Sequence, residues 1–207
     1  MDAYGNLISD EDITLIREKI TLVASSDADR FKKNIRVISY LTFLLNKIGV
    51  RAIIVGGHAV EIYTAGNYAT ADVDLVLNGQ QRAAEVFAKL GFTKDHGERH
   101  WYHEELGLPI EIPDSNLAGS LDKVYRVDLE NGFYVDIIGI EDLILDRLRA
   151  AVYWNSDDDR HWALTLLVSQ WDDIDFDYLS AEAKKEPKAD LLTLIGKLRQ
   201  EALRFID

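Results

Sequence analysis

The spacing of apolar and polar residues divides the chain into three parts. Residues 1–50 carry apolar side chains at helical spacing in two runs, the second of which stops at Gly49. Residues 51–140 combine short β-like runs with helical segments, and residues 141–207 return to helical spacing throughout. The pattern therefore predicts an N-terminal helical segment (1–50), a mixed α/β core (51–140) and a C-terminal helical segment (141–207).

Inside the predicted core, the order of the segments is informative. RAIIV predicts a strand that ends at Gly56-Gly57, HAVEIYTA a short helix, DVDLVLN a second strand and QQRAAEVFAKLGF a further helix. Four short strands follow in RHWYHEE, LPIEIP, KVYRVDL and FYVDII. The last two flank ENG, where Asn131 and Gly132 tolerate the positive φ that a tight hairpin turn requires. We therefore expect a mixed sheet that ends in a hairpin.

Composition narrows the class of protein. Hydrophobic residues make up 47% of the chain, charged residues 29%, and there are only 3 prolines, which is typical of an ordered globular protein. The absence of cysteine excludes disulfides, thiolate metal sites and a cysteine nucleophile. The sequence contains no apolar run near the roughly 18 residues that span a bilayer and no signal-peptide pattern. We therefore expect a cytoplasmic protein without a membrane partner.

The net charge of -13 is unevenly distributed, because the first 50 residues are balanced and the rest carry the acidic excess. Such a balance repels a polyanion at long range, since non-specific affinity for nucleic acid comes mostly from Lys and Arg. A long nucleic acid is therefore not an expected partner. We interpret the compact basic cluster DRFKKNIR, residues 29–36, as the solvated face of a helix.

Two aspartates stand where the second predicted strand begins. Residues i and i+2 of a strand share a face, so Asp72 and Asp74 project to the same side. Carboxylates at this spacing repel unless a cation lies between them, and hard oxygen ligands suit Mg²⁺ or Mn²⁺. The alternative is a solvated strand end. The preceding strand, Gly56-Gly57 and helix favour the metal, because glycines at a helix start let phosphate approach backbone N–H groups.

The stretch GGHAVEIYTAGNYATADVDLVL resembles the signature of the nucleotidyltransferase superfamily with a DNA polymerase β type palm, particularly its small prokaryotic members. The resemblance implies an α/β (α+β) palm with a mixed sheet, flanked by helices. It also implies two-metal transfer of a nucleoside monophosphate from a nucleoside triphosphate (NTP), with release of pyrophosphate. By position in the motif, Gly56, Gly57 and Thr70 would bind the nucleotide, and Asp72 and Asp74 would bind Mg²⁺ or Mn²⁺.

The chain departs from this pattern at two places. The loop is Gly-Gly where many members have Gly-Ser, and Tyr68 stands where several relatives have an arginine. These departures favour an alternative function, a catalytically silent palm that binds a nucleotide or a partner protein, whereas the intact Asp-x-Asp favours the enzyme. Relatives include toxins of toxin–antitoxin pairs that modify transfer RNA, so the acceptor stays open among a small molecule, a protein and an RNA end.

The family also carries a third carboxylate on a neighbouring strand. From the residues alone, Glu111 in LPIEIP and Asp136 in FYVDII are both candidates, because each alternates with apolar neighbours. The resemblance favours Glu111, since small members follow the strand of the third acid with a linker, a hairpin and a helix that opens Glu-Asp-Leu-Ile. Relatives have lysine at Arg147, so this side chain is predicted either to contact the nucleotide phosphates or to pair with Glu141 or Asp142.

Other features lend themselves to simpler interpretations. The histidines of DHGERHWYHEE (His96, His100 and His103) suggest a zinc site, but a strand would place His100 and His103 on opposite faces. Four C-terminal aromatic residues predict packing between helices, with the acceptor side of a cleft as the alternative: Tyr153, Trp154, Trp162 and Trp171. The sequence therefore supports one candidate site strongly, at the glycines and the aspartates.

Overall fold

The computed structural model describes residues 7–94, 100–186 and 190–206. In chain order the helices and strands of these residues are α1 (Asp10–Ala24), α2 (Arg30–Lys47), β1 (Ala52–Val55), α3 (Gly56–Tyr63), β2 (Val73–Leu77), α4 (Gln80–Lys89), β3 (His100–His103), β4 (Leu108–Glu111), β5 (Tyr125–Asp128), β6 (Tyr134–Ile137), α5 (Ile140–Tyr153), α6 (Asp157–Ser169), α7 (Phe176–Ala183) and α8 (Leu191–Ile206). Short 3₁₀ helices lie at Leu121–Lys123, Glu130–Gly132 and Trp171–Asp173.

The six strands of the described residues form one mixed sheet with the order β3-β4-β2-β1-β6-β5. Strand β2 runs parallel to β4, and β1 runs parallel to β6. The pairs β1–β2, β3–β4 and β5–β6 are antiparallel. At the β5–β6 turn Asn131 has φ 61° and Gly132 has φ 77°, as the ENG hairpin requires. The predicted mixed α/β fold with a terminal hairpin is confirmed.

The chain forms two compact units, and each unit is built from several separate stretches of the sequence. Among the described residues, the first unit comprises 7–58, 70–94, 100–117 and 124–137, and the second comprises 59–69, 118–123, 138–186 and 190–206. The sheet therefore belongs to the first unit, together with α1, α2 and α4. Helices α5 to α8 belong to the second unit. The domain boundaries derived from the sequence, 1–50, 51–140 and 141–207, stay a prediction.

The first unit is stabilised by side-chain caps on α1 and α2 and by apolar residues of these helices and of the sheet. Ser9 and Asp12 make a reciprocal capping box at the start of α1, and the Asp29 side chain accepts a hydrogen bond from Lys32 N at the start of α2. The two helices and the sheet bury apolar side chains that include Ile16, Ile20, Val37, Leu41, Leu44, Leu45, Ile53, Ile54, Leu75 and Leu77. Burial of these side chains is the main stabilising contribution to the unit.

The second unit is helical and contains one helix that the sequence did not predict. Helices α5, α6 and α8 match the three predicted C-terminal segments. Helix α7 has only eight residues, too few to show a helical period, and is capped by Asp175, whose side chain accepts a hydrogen bond from Tyr178 N. No helix within residues 7–94, 100–186 and 190–206 has the length and apolar character needed to cross a membrane.

Candidate active site

Three carboxylates of the first unit meet where the parallel strands β2 and β4 lie side by side. One oxygen each from Asp72, Asp74 and Glu111 can be chosen so that all three lie within 4.8 Å of one another, and all three residues are half-buried. The sheet register explains this, because Asp74 is paired with Glu111 on the parallel neighbour β4. Asp72 lies two residues before Asp74 and so shares its face. The pattern Asp-x-Asp and the neighbouring strand thus supply one carboxylate cluster.

Gly56 sits where no other residue fits without a shift. It follows β1 and begins α3 with φ +59°, which residues with a Cβ rarely adopt. A Cβ at Gly56 would lie 2.1 Å from Asp74 Oδ2 and 2.8 Å from Asp74 Cγ. The register places Val55, the preceding residue, opposite Asp74. Gly56 therefore brings the first backbone N–H groups of α3 beside the carboxylate cluster.

Hydrogen bonds orient the first aspartate from the loop that precedes β2. Thr70 Oγ1 donates to Asp72 Oδ1 at 2.7 Å. The guanidinium of Arg30, the first residue of α2, donates to the backbone carbonyl of Thr70. The loop is thus tied to α2 on one side and to the cluster on the other. Nucleotide binding by Thr70 stays a prediction.

Glu111 has a neighbour of its own across the sheet. His100 on β3 is paired with Glu111 on β4, and His100 Nε2 lies 3.3 Å from Glu111 Oε2. The His100 side chain is 51% exposed and that of Glu111 is 25% exposed. The contact fixes one carboxylate oxygen of Glu111 on the side of β3. His100 therefore limits the directions in which the longer glutamate side chain can point.

His58 is a buried neutral residue in the first turn of α3. Its exposed fraction is 0%, and burial lowers its pKa to about 4, with a further lowering by the charge of Arg30 and an opposing effect of Asp72. Its ring contacts Phe31 of α2, with centroids 5.7 Å apart. His58 is therefore uncharged at neutral pH, so it brings no positive charge to the carboxylates.

Asp136, the other candidate for the third carboxylate, lies elsewhere in the sheet. It is 3% exposed and accepts from Arg51 Nε at 2.8 Å and from Arg126 Nε at 3.0 Å. The guanidinium carbon of Arg126 also lies 3.6 Å from the centroid of the Tyr134 ring. The carboxylate of Asp136 is therefore neutralised by two arginines, and it is Glu111 that the structure brings to Asp72 and Asp74.

Arg147 belongs to the second unit and has different partners from those expected. Its Nη1 lies 2.9 Å from Asp159 Oδ1 and its Nη2 lies 2.6 Å from Asp146 Oδ2. The predicted pairing with Glu141 or Asp142 is wrong, because these two carboxylates have other partners. They accept hydrogen bonds from Asp175 N and Ser120 N, respectively.

The histidines and aromatic residues fall mostly into structural roles. His103 is buried and His100 exposed, on opposite faces of β3 as predicted, while His96 lies outside the described residues. Trp162 packs edge-on against Tyr68 in the loop after α3, with centroids 4.7 Å apart, so packing between helices stays a prediction for Trp162. The prediction is wrong for Trp154, which follows the last residue of α5 and is 82% exposed.

Sequence reasoning missed two residues of this site, Arg30 and His100. Arg30 was assigned with its basic neighbours to a solvated helix face, and its contact with Thr70 spans 40 positions in the sequence. His100 was weighed as a zinc ligand. Its position at a strand start was the available signal, but only the β3–β4 register reveals that it lies opposite Glu111.

Comparisons with known proteins bear on the fold. No protein-family model matches the chain, and no curated protein matches it. The structure is similar to the crystal structure of an antigenic nucleotidyltransferase-like protein from Paracoccidioides brasiliensis, with 17% sequence identity and a TM-score of 0.51. The match covers 78% of this chain and 91% of that chain. The chain therefore has a nucleotidyltransferase-like fold, and the predicted fold class is confirmed.

Proposed function

We propose that this protein is a metal-dependent nucleotidyltransferase that moves a nucleoside monophosphate from an NTP to a hydroxyl acceptor. The observation that carries the proposal is the convergence of Asp72, Asp74 and Glu111, whose oxygens come within 4.8 Å of one another. The nucleotidyltransferase-like fold supports it. The acceptor is a small molecule, a protein or an RNA end. The acidic chain disfavours a long nucleic acid.

The donor set fits a hard divalent cation. Three half-buried carboxylates at this separation repel one another, and that repulsion is relieved when a cation binds between them. Asp72, Asp74 and Glu111 would hold Mg²⁺ or Mn²⁺, all through oxygen atoms. The bound metal would supply Lewis-acid stabilisation of the charge that develops on the transferred phosphoryl group.

The residues of the chain have separate tasks in the proposed reaction. The acceptor oxygen forms a bond to the α-phosphorus, the bond from that phosphorus to the bridging oxygen breaks, and pyrophosphate leaves with the electron pair. Glu111 accepts the hydroxyl proton of the acceptor. Backbone N–H groups of Gly56 and Gly57, in the first turn of α3, bind the triphosphate. Thr70 holds Asp72 in its orientation.

Two further points belong to the proposal. Arg147 stays a predicted phosphate ligand, although both terminal nitrogens already pair with aspartates.

The alternative function, a catalytically silent domain that binds a nucleotide or a partner, is favoured by Tyr68, which packs on Trp162 where several relatives have a cation. Measurement of turnover separates the two functions.

The proposal is tested by incubating the protein with Mg²⁺ and each labelled NTP, with and without cell extract, and measuring pyrophosphate release. We expect release by the wild type and a loss of at least about 10³-fold in Asp72→Ala plus Asp74→Ala protein, because the metal would lose two ligands. Asp172→Ala plus Asp173→Ala is the matched control, since it removes two exposed aspartates of the second unit. Absence of release with every NTP, or equal release by the Asp72/Asp74 variant, contradicts the proposal.

A further inference from the structure

The proposed substrate creates an electrostatic requirement at the site. A nucleoside triphosphate carries several negative charges, and the cluster of Asp72, Asp74 and Glu111 adds more within a small volume. Anions of this kind are bound in proteins by backbone N–H groups together with Arg or Lys side chains. His58, the titratable residue beside Gly57, is neutral at neutral pH because it is buried. A basic side chain from another element would therefore complement the backbone N–H groups and the metal.

We propose that Arg30, on α2, is a ligand of the NTP triphosphate, an inference that rests on the proposed function. Arg30 is exposed, and its guanidinium donates to the carbonyl of Thr70. Thr70 in turn donates to Asp72 at 2.7 Å, so Arg30 stands two contacts from a carboxylate of the cluster. The N-terminal helical segment thereby contributes a residue to the site.

The same turn of α2 also reaches the glycine loop. Phe31, the next residue after Arg30, contacts the ring of His58, with centroids 5.7 Å apart. His58 follows Gly57 in the first turn of α3, and the charge of Arg30 helps to lower the pKa of His58. Arg30 therefore lies near both parts of the proposed site. One part is the Gly56-Gly57 loop, and the other is the start of β2 with Asp72 and Asp74.

The chemistry of the guanidinium suits this position. It has five N–H donors in a planar fork that matches phosphate oxygens, and the bond to Thr70 uses one of its nitrogens. Arg51 and Arg126 of the first unit have another partner, since both pair with Asp136. The contact with Thr70 also holds the guanidinium in place, which reduces the conformational entropy lost on binding.

The test is direct titration with α,β-methylene analogues of ATP, GTP, CTP and UTP in the presence of Mg²⁺, which bind without turnover. We expect Arg30→Gln to weaken binding of the preferred analogue by roughly 10- to 100-fold, as for loss of a charged hydrogen bond. Binding of the corresponding nucleoside monophosphate should change less than about threefold, because it lacks the β and γ phosphates. Arg30→Lys should retain part of the affinity, since it keeps the charge but loses the fork.

Arg36→Gln is the matched control, with the same change in charge two turns further along α2, and we expect wild-type affinity from it. Equal affinity of wild type and Arg30→Gln overturns the inference and leaves the proposed function standing. Equal weakening for triphosphate and monophosphate also overturns it, because it indicates a structural role. Wild-type protein that binds none of the analogues overturns both proposals. If Arg30→Gln does not fold, as judged by circular dichroism, Arg30→Lys takes its place. A lower ratio of triphosphate to monophosphate affinity than in wild type then supports the inference, and an unchanged ratio overturns it.

Discussion

Glu111 and Asp136 occupy similar places in the sequence but lie in different electrostatic surroundings. Each is on a short strand of the same sheet, and each has apolar neighbours on both sides. Glu111 lies beside Asp74 on the adjacent parallel strand, in a cluster of three carboxylates. Asp136 lies between Arg51 and Arg126, whose guanidinium groups contact both of its oxygens.

The difference shows that position in a sheet gives chemically similar residues different electrostatic neighbours. Two arginines give Asp136 a permanent counter-charge, so its carboxylate needs no metal for charge balance, and its removal would leave both arginines without this partner. The cluster around Glu111 gathers like charges, so it is destabilising in itself and stabilised when a cation binds. The contact partners therefore distinguish a structural carboxylate from a candidate metal ligand, whereas the pattern along each strand does not.

The largest expected difference in stability comes from changing one aspartate to asparagine in each of the two regions. Asp136→Asn should lower the free energy of unfolding by about 2 to 3 kcal/mol, since it leaves two partly exposed arginines beside a buried amide. Asp72→Asn should stay within about 1 kcal/mol of wild type, because lower repulsion in the cluster offsets any weakening of the bond from Thr70. Urea unfolding in the presence of EDTA measures both. Equal losses in the two variants would contradict the distinction.

A second comparison uses two glycines with positive φ. Gly56→Ala and Gly132→Ala should both lose about 1 kcal/mol from backbone strain, at φ +59° and +77° respectively. Nothing lies within 4 Å of a Cβ at Gly132, whereas a Cβ at Gly56 meets Asp74 Oδ2 at 2.1 Å. Gly56→Ala should therefore also displace Asp74 and weaken Mn²⁺ binding roughly tenfold, which corresponds to about 1.4 kcal/mol, whereas Gly132→Ala should leave Mn²⁺ affinity unchanged. Titration with Mn²⁺ checks this, and equal affinity in both variants would show that Gly56 is needed for its φ alone.

Much of the fold could be predicted because local patterns specify it. Buried strands such as AIIV, capped helices and the Asn131-Gly132 turn are each encoded within a few residues. Helix α7 was missed because eight residues show too little periodicity. The discontinuous course of the two compact units could not be predicted either, since it depends on contacts between distant segments.

The candidate site, like the fold, could be predicted only where a local sequence pattern specifies it. Asp72 and Asp74 follow from the period of a strand, and Gly56 from its place between β1 and α3. The choice of Glu111 required a family resemblance, because the strand pattern did not separate it from Asp136. Arg30 and His100 depend on a contact between α2 and a loop and on strand register, which no local pattern records.

The smallest expected effect concerns the neighbour of Glu111. His100→Gln should lower the rate of pyrophosphate release by about threefold at saturating NTP with little change in KM, because Glu111 would populate other rotamers once the contact at 3.3 Å is lost. The effect is small because the pair is partly exposed to solvent. Tyr102→Phe is the matched control, since Tyr102 lies on the same face of β3 but is paired with Pro109. An equal decrease in both variants would mean that β3 acts on the site as a whole, and an unchanged His100→Gln rate would mean that Glu111 is held by β4 alone.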